Sequence, residues 1–450
     1  MGAVLSAVAF LITWLLAKKS LTRGIGACLA IGYFFGIVRA NLPETASYFI
    51  FDAAVLGLYC GQLPSSLRRP DTQNSRHLKH WITLLVLWPL VLFFVPQQDY
   101  LVQLVGLRGN IFLLPFVLLG SQINDGEAKD LALWLSTLNA LVTLVGFAEF
   151  SVGITRFFPQ NQLTYMIFHS SDVGSGSFRI PSTFSNAHSF GGMMVLSVPW
   201  IAGAWTRHRG PSRHNYLLLA GLVAAVLGVL MSAARVDFII LALLIIVLTV
   251  SAQLKARYRV AWLFILATIA CVVVSNDRLQ RFTTLDSPEI LTTRLSWGLN
   301  DNLFHAFADH PFGVGLGGGG TSMPSFLEDR VERPVLLESE LGRIALETGL
   351  VGLASWLAFV CWVFARCGPE RDDPWRLGKR LARYCCLAFF LTGFIGTGLM
   401  TAIPSSAVLL MSLGWVANPS VQETSQFASV QATSERHTAA VLRRAEVARP

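Results

Sequence analysis

Charged residues are scarce in this chain, and that scarcity excludes a soluble globular protein. Only 14% of the 450 residues are charged, whereas 53% are hydrophobic. A soluble domain has about 25% charged residues, which it needs to cover its surface with polar groups. The mean hydropathy of +0.54 instead indicates a protein whose outer surface contacts lipid.

The chain also lacks the patterns that mark disulfide-rich, metal-binding, nucleotide-binding or nucleic-acid-binding proteins. None of the seven cysteines lies in the long polar segment near the middle of the chain, and none has metal-ligand spacing. The glycine run Gly317–Gly320 is not followed by the Gly-Lys-Ser/Thr of a phosphate-binding loop. The net charge of +8 comes mostly from short basic turns. We therefore expect no metal, no cofactor and no nucleic-acid partner.

What the chain has in abundance is apolar runs, many of them close to the roughly 20 residues that cross a bilayer as a helix. We predict an all-α polytopic membrane protein with twelve or thirteen transmembrane helices, since some runs are short. A removed signal peptide is not expected, because basic residues follow the first run instead of preceding it. The predicted spans are about 2–17, 22–40, 45–63, 81–95, 109–122, 131–152, 184–205, 215–233, 236–253, 258–275, 340–365, 380–397 and 401–416.

The order of apolar and polar stretches predicts four regions. Residues 1–275 form N-terminal transmembrane helices, 276–339 a long loop, 340–417 C-terminal transmembrane helices and 418–450 a disordered cytoplasmic tail. Basic turns fall on one side by parity, which the positive-inside rule makes cytoplasmic. The long loop is then extracytoplasmic. Around Arg294 its apolar residues recur at helical spacing, which predicts an amphipathic helix on the membrane surface.

Three arginines occur on the predicted exterior face, each beside an apolar run: Arg108, Arg179 and Arg235. An unpaired charge at that depth costs about several kcal/mol, so an anionic partner is expected. Asp237 for Arg235, or lipid headgroups for Arg108, would be ordinary partners. A lipid-linked diphosphate is the alternative, because guanidinium groups bind phosphate oxygens through paired, charge-assisted hydrogen bonds.

Several motifs in a fixed order carry a family resemblance. They are Arg179-x2-Ser-Thr-Phe-Ser-Asn186 before a span, Ser-Ala-Ala-Arg235 in a short turn, Arg294 and His310-Pro-Phe-Gly-Val-Gly-Leu-Gly317 in the long loop, and Glu347-Thr-Gly-Leu-Val-Gly352 after it. This order resembles the superfamily of O-antigen ligases and O-antigen or exopolysaccharide polymerases. The resemblance covers about residues 100 to 400.

The resemblance implies a membrane glycosyltransferase on the periplasmic face of the bacterial inner membrane. Its donor and acceptor would be undecaprenyl-diphosphate-linked glycans, with a chain-length regulator as a candidate partner. In the ligase branch a His-Asn pair stands nine residues before the acidic position of the last motif. Here Glu347 holds the acidic position, and Glu338-Ser339 replace His-Asn. That departure favours polymerase over ligase.

The roles follow as a hypothesis. Arg179 and Arg235 hold the donor diphosphate and stabilise the leaving group, and Glu338 deprotonates an acceptor hydroxyl, although it could equally be a solvated charge. Further diphosphate ligands would be Arg108, Arg294 and Arg343. For Glu347 we favour a capping or turn role. The glycines 317–320 are expected to act as a flexible hinge.

Three other functions stay open. They are an O-antigen ligase that transfers a lipid-linked glycan to an acceptor, a transporter or flippase of lipid-linked sugars, and a non-catalytic subunit of a polysaccharide export machine. A transporter is disfavoured because the arginines cluster on one face instead of the membrane midplane, and because the large loop is external.

Overall fold

The protein is described by a computed structural model that covers residues 1–42, 44–66, 73–161, 164–170, 178–207, 212–251, 310–319, 323–332, 339–366, 373–394 and 398–417, with 260, 262, 267 and 396 as single positions. Within these residues the fold is all-helical and contains no strand. Arg294, Glu338, most of the predicted span 258–275 and the tail 418–450 lie outside the described residues.

Fourteen α-helices make up the described architecture. They are α1 Gly2–Lys19, α2 Leu21–Asn41, α3 Ile50–Ser66, α4 Gln73–Phe93, α5 Tyr100–Ile111, α6 Pro115–Ser121, α7 Asp125–Val152, α8 Tyr165–Ser170, α9 Ala187–Arg207, α10 Arg213–Ser232, α11 Arg235–Val250, α12 Glu340–Arg366, α13 Arg376–Thr392 and α14 Ser405–Ala417. Each predicted span within the described residues overlaps helical structure, although 109–122 covers the end of α5, a break and α6.

Six helical stretches of the described chain are long and apolar enough to cross a membrane, fewer than the twelve or thirteen predicted. They are α1, α2, α5 with α6, α7, α10 and α12. Other helices fall short in length: α3 has 17 residues and α14 has 13. A helix rises 1.5 Å per residue, so these lengths cover only part of a hydrocarbon layer about 30 Å thick. The larger count stays a prediction.

Helix α9 lies at the centre of the bundle. Apart from His188, its residues from Ala187 to Ala204 are buried, and it packs against α7, α10, α11, α13 and α14. Trp200 of α9 stacks on Trp415 of α14 with ring centroids 4.0 Å apart, and its Nε1 donates to the hydroxyl of Ser412 at 2.9 Å. A helix that is apolar on all sides in this way belongs to the interior of a bundle.

Helices α6 and α14 approach so closely that their backbones touch. A Cβ placed on Gly120 would lie 2.0 Å from the carbonyl oxygen of Met411, and one placed on Gly414 would lie 1.9 Å from the carbonyl oxygen of Val117. Small residues of this kind let helices pack tightly where lipid offers no hydrophobic drive for association.

We predict that Gly414→Ala destabilises the protein. The added methyl group has no space against Val117, and overpacking of this kind costs about 1–3 kcal/mol. The midpoint of thermal unfolding in detergent should fall. Gly126→Ala is the matched control, because Gly126 is exposed and its nearest neighbour would be 3.5 Å from the new methyl group. Equal midpoints for the two variants would contradict the close packing of α6 and α14.

Candidate functional site

Residues 178–186, here called the arginine segment, run through the bundle without forming a helix. The amide of Ile180 donates to the carbonyl of Met231 at the end of α10, at 3.2 Å. The amide of Ser182 donates to the Glu149 carboxylate of α7 at 2.9 Å. At the end of the segment Asn186 caps α9, where its Oδ1 accepts from the amide of Ser189 at 2.7 Å. Its buried backbone is thus anchored to three helices.

Thr183 of the arginine segment connects it to α2. The Ile37 amide donates to the carbonyl of Thr183 at 2.9 Å, and the Thr183 hydroxyl donates to the carbonyl of Tyr33. Tyr33 and Ile37 are four residues apart in α2. In a continuous helix the Tyr33 carbonyl accepts from the Ile37 amide, and here both of these groups bond to Thr183. Gly36 makes the approach possible, since a Cβ there would lie 2.1 Å from the Phe184 carbonyl carbon.

The arginine segment brings Arg179 close in the fold to the start of α11, where Arg235 lies. Ile180, next to Arg179, is bonded to Met231, four residues before Arg235. Both arginines are partly exposed. One terminal nitrogen of Arg179 lies 2.7 Å from Nε2 of the exposed His188 on the first turn of α9. Neither His188 nor Glu149 was predicted from the sequence. Glu149 is an acidic residue inside an apolar run, a pattern that indicates a role for the side chain.

Arg108 lies elsewhere than expected. It is inside α5, about 12 Å from Tyr100 along the helix axis, and not in an exterior turn. Its Nε and one terminal nitrogen donate to the two carboxylate oxygens of Asp52 in α3, both at 2.6 Å. Asp52 is buried. The anionic partner of Arg108 is therefore a residue of the protein, one that the sequence analysis did not consider although it interrupts an apolar run.

Arg343 is also paired internally. It is only 1% exposed. Its Nε and one terminal nitrogen donate to Oε1 of Glu340 at 3.1 and 2.8 Å, and its other terminal nitrogen donates to Oε2 of Glu347 at 2.6 Å. Asn110 of α5 donates to the same Oε2 at 2.7 Å. We call Glu340, Arg343, Glu347 and Asn110 the buried cluster. Glu347 thus has an ion-pairing role in place of the capping role that we favoured.

Helix α12 is interrupted at Gly349, which has φ 67° and ψ −172°. Residues 310–319, here called the glycine segment, lie against this break. The Val314 amide donates to the carbonyl of Leu346 at 2.7 Å, and the Leu350 amide donates to the carbonyl of Pro311 at 3.3 Å. Backbone groups released by a broken helix must be satisfied by protein when no water is near. The glycine segment supplies those partners.

The glycines of this segment allow close packing against neighbouring residues. This role differs from that of a flexible hinge, which we expected for residues 317–320. Gly315 and Gly317 have φ values of 92° and 81°, a region that favours glycine. A Cβ on Gly317 would lie 2.6 Å from the Val102 carbonyl oxygen, and one on Gly319 would lie 3.0 Å from Cγ of Arg343. Gly320 lies outside the described residues.

The N-terminal ends of α9, α12 and α14 meet the C-terminal end of α13. Ser339 caps α12, accepting from the Gly342 amide at 3.0 Å, and donates to the carbonyl of Gly393 after α13 at 3.2 Å. The hydroxyl of Ser405 donates to the carbonyl of Ser189 at 3.3 Å. Ser339 directly follows Glu338, and Ser189 directly follows His188. Ser339, the described neighbour of the predicted base, is therefore at the same end of the bundle as the start of α9.

No protein-family model matches this chain, and no curated protein is similar enough to count as a relative. Within the described residues, no group of three or more His, Cys, Asp or Glu side chains is arranged to hold a metal ion. The candidate site thus comprises two partly exposed arginines and one exposed histidine, and the buried cluster is a separate feature of α5 and α12.

We predict that Arg343→Met is severely destabilising because it leaves the carboxylates of Glu340 and Glu347 buried without their cation. Breaking a buried pair in this way costs about 3–5 kcal/mol. The yield of monodisperse protein and its unfolding midpoint should both fall sharply. The triple variant Glu340→Gln, Arg343→Met, Glu347→Gln replaces all three ionisable side chains and should be more stable than Arg343→Met alone. A triple variant less stable than the single variant would contradict the ionic role.

Proposed function

We propose that the protein is a membrane glycosyltransferase that polymerises undecaprenyl-diphosphate-linked oligosaccharide repeat units into an exopolysaccharide or O-antigen on the periplasmic face of the inner membrane. The observation that carries the proposal is the rigid placement of Arg179 beside the start of α11, which begins with Arg235. Two partly exposed guanidinium groups, one on the anchored arginine segment and one at the start of α11, are suited to a diphosphate.

In the proposed reaction a hydroxyl of the acceptor sugar attacks the anomeric carbon of the donor. The carbon–oxygen bond to the diphosphate breaks, and undecaprenyl diphosphate leaves with the bonding electron pair. Arg179 and Arg235 stabilise the charge on that leaving group. The hydroxyl proton passes to Glu338, our hypothesis for the general base. Support for this assignment comes from its described neighbour Ser339, whose hydroxyl joins the start of α12 to the end of α13.

Four other side chains were candidates for the site, and two of them are ion-paired within the protein. Arg108 is neutralised by Asp52, and Arg343 by Glu340 and Glu347. We therefore give both a structural role and do not propose them as diphosphate ligands. Arg294 lies outside the described residues and stays a predicted ligand, and Glu338 likewise stays a predicted base.

A transporter of lipid-linked sugars is the second candidate, and one feature favours it. Transporters often contain discontinuous helices with charged residues beside the break, as α12 does at Gly349. However, the buried cluster is ion-paired internally, and the partly exposed arginines lie at one end of the bundle. A ligase is less favoured because Glu338-Ser339 replace the His-Asn pair of that branch.

We predict that Arg235→Ala abolishes the polymer in cells while the amount of protein in the membrane stays normal. Loss of one positioned donor typically lowers turnover by about 10²–10³-fold, so the lipid-linked repeat unit should accumulate. Arg235→Lys keeps the charge but loses the paired geometry and should give an intermediate amount of polymer. The measurements are polymer length on a gel and the lipid-linked unit by mass spectrometry.

Arg330→Ala is the matched control for Arg235→Ala. The side chain of Arg330 is 54% exposed and lies 3.7 Å from Asp99, so its removal should leave polymer synthesis unchanged. Polymer of normal length and amount in the Arg235→Ala strain would rule out the diphosphate-binding role.

A further inference from the structure

The buried cluster contains two carboxylates but only one guanidinium. With both Glu340 and Glu347 ionised, it would carry one net negative charge inside the protein, where an uncompensated charge is strongly unfavourable. Within the described residues the cluster has no second cationic side chain. One additional positive charge, or one proton, is needed for neutrality.

The hydrogen bonds show which oxygen lacks a partner. Glu340 uses both oxygens, since Oε1 accepts from Arg343 and Oε2 accepts from the amide of Gly398 at 2.9 Å. Glu347 uses only Oε2, which accepts from both Arg343 and Asn110. Oε1 of Glu347 is buried and has no hydrogen-bond partner in the part of the chain that the structure describes. A proton belongs on this atom, because the other three oxygens accept hydrogen bonds.

The glycine segment covers this oxygen. A Cβ added to Gly319 would lie 3.2 Å from Oε1 of Glu347, so the backbone of the segment keeps water away from it. If the segment separated from α12, water would reach Oε1 and solvate an ionised carboxylate. Docking of the segment and protonation of Glu347 are therefore coupled equilibria.

We propose that Glu347 carries an exchangeable proton on Oε1 while the glycine segment is docked on the break of α12, and releases it when the segment separates. The segment is then a pH-sensitive latch on the long loop. Because the docked state binds one more proton than the separated state, docking weakens as pH rises. The inference concerns the latch alone and does not depend on glycosyl transfer.

Other titratable groups near Glu347 are few. On α12 they are Glu340 and Arg343, and in the glycine segment His310 is the one titratable side chain. On α5, Arg108 is paired with Asp52, and Asp99 lies near Arg330 at 3.7 Å. Helix α4 touches the break through Trp88, whose Nε1 donates to the Thr348 carbonyl at 2.8 Å. The charged and histidine residues of α4 are at its other end and are Arg76, His77, Lys79 and His80.

The test is hydrogen exchange of the intact protein from about pH 5 to about pH 9, corrected for the pH dependence of chemical exchange. The amides to follow are those of Val314 and Leu350, which join the segment to α12. Their protection should fall as pH rises, by at most about tenfold per pH unit because a single proton is involved. Protection that does not change with pH in the wild-type protein would overturn the proposal without the use of any variant.

Two pairs of variants locate the proton. Glu347→Gln removes the titrating group. Glu340→Gln leaves Glu347 as the one carboxylate of the cluster, and Arg343 then balances its charge. In both variants the protection of the Val314 and Leu350 amides should become independent of pH. His310→Gln and Asp99→Asn remove other titratable groups and should keep the wild-type pH dependence. A wild-type slope in Glu347→Gln, or a flat profile in His310→Gln, would assign the proton to another residue. If Glu347→Gln does not fold, Glu340→Gln gives the same test.

Discussion

Polar groups buried away from water must find partners within the protein, and this constraint underlies both halves of the candidate site. The arginine segment is stable inside the bundle because α2, α7 and α10 satisfy its amides and carbonyls. The interruption of α12 at Gly349 is stable because the glycine segment and Trp88 satisfy the backbone groups that it frees. In each half a non-helical stretch bonds to a helix where a continuous helix would have bonded to itself. The chemistry that we propose depends on the rigidity that results.

Pairing divides the arginines into two kinds. Arg108 and Arg343 lie within helices and are bound to carboxylates of the protein. Arg108 joins α5 to α3, whereas Arg343 pairs with two carboxylates of its own helix α12. Arg179 lies in the non-helical arginine segment and Arg235 at the start of α11, and both are partly exposed. If Arg108 or Arg343 bound a ligand, a buried carboxylate would lose its cation, and that loss would be very costly. For this reason the proposed site contains Arg179 and Arg235 but not Arg108 and Arg343.

Helix positions were predictable from the sequence because apolar runs of suitable length specify helices. The charge pairs were not. Asp52 and Glu149 each interrupt an apolar run, which signals a role, but periodicity cannot tell which distant arginine or amide they meet. The glycines at 317–319 illustrate the same limit, because a run of glycines permits either flexibility or close backbone packing, and only the neighbouring Val102 and Arg343 decide between them. The spacing of Arg343 from Glu340 and Glu347, three and four residues on one helix, is compatible with the ion pairs that form, but the sequence does not show that all three side chains are buried together.

Whether this protein joins lipid-linked sugars, as we propose, can be measured with the purified protein. The protein would be reconstituted in vesicles with a synthetic undecaprenyl-diphosphate-linked repeat unit, and the products separated by chain length. The account predicts longer glycans together with free undecaprenyl diphosphate in equal molar amount to the new linkages. Repeat units that remain unchanged in length but move across the vesicle membrane would contradict it and identify a transporter instead.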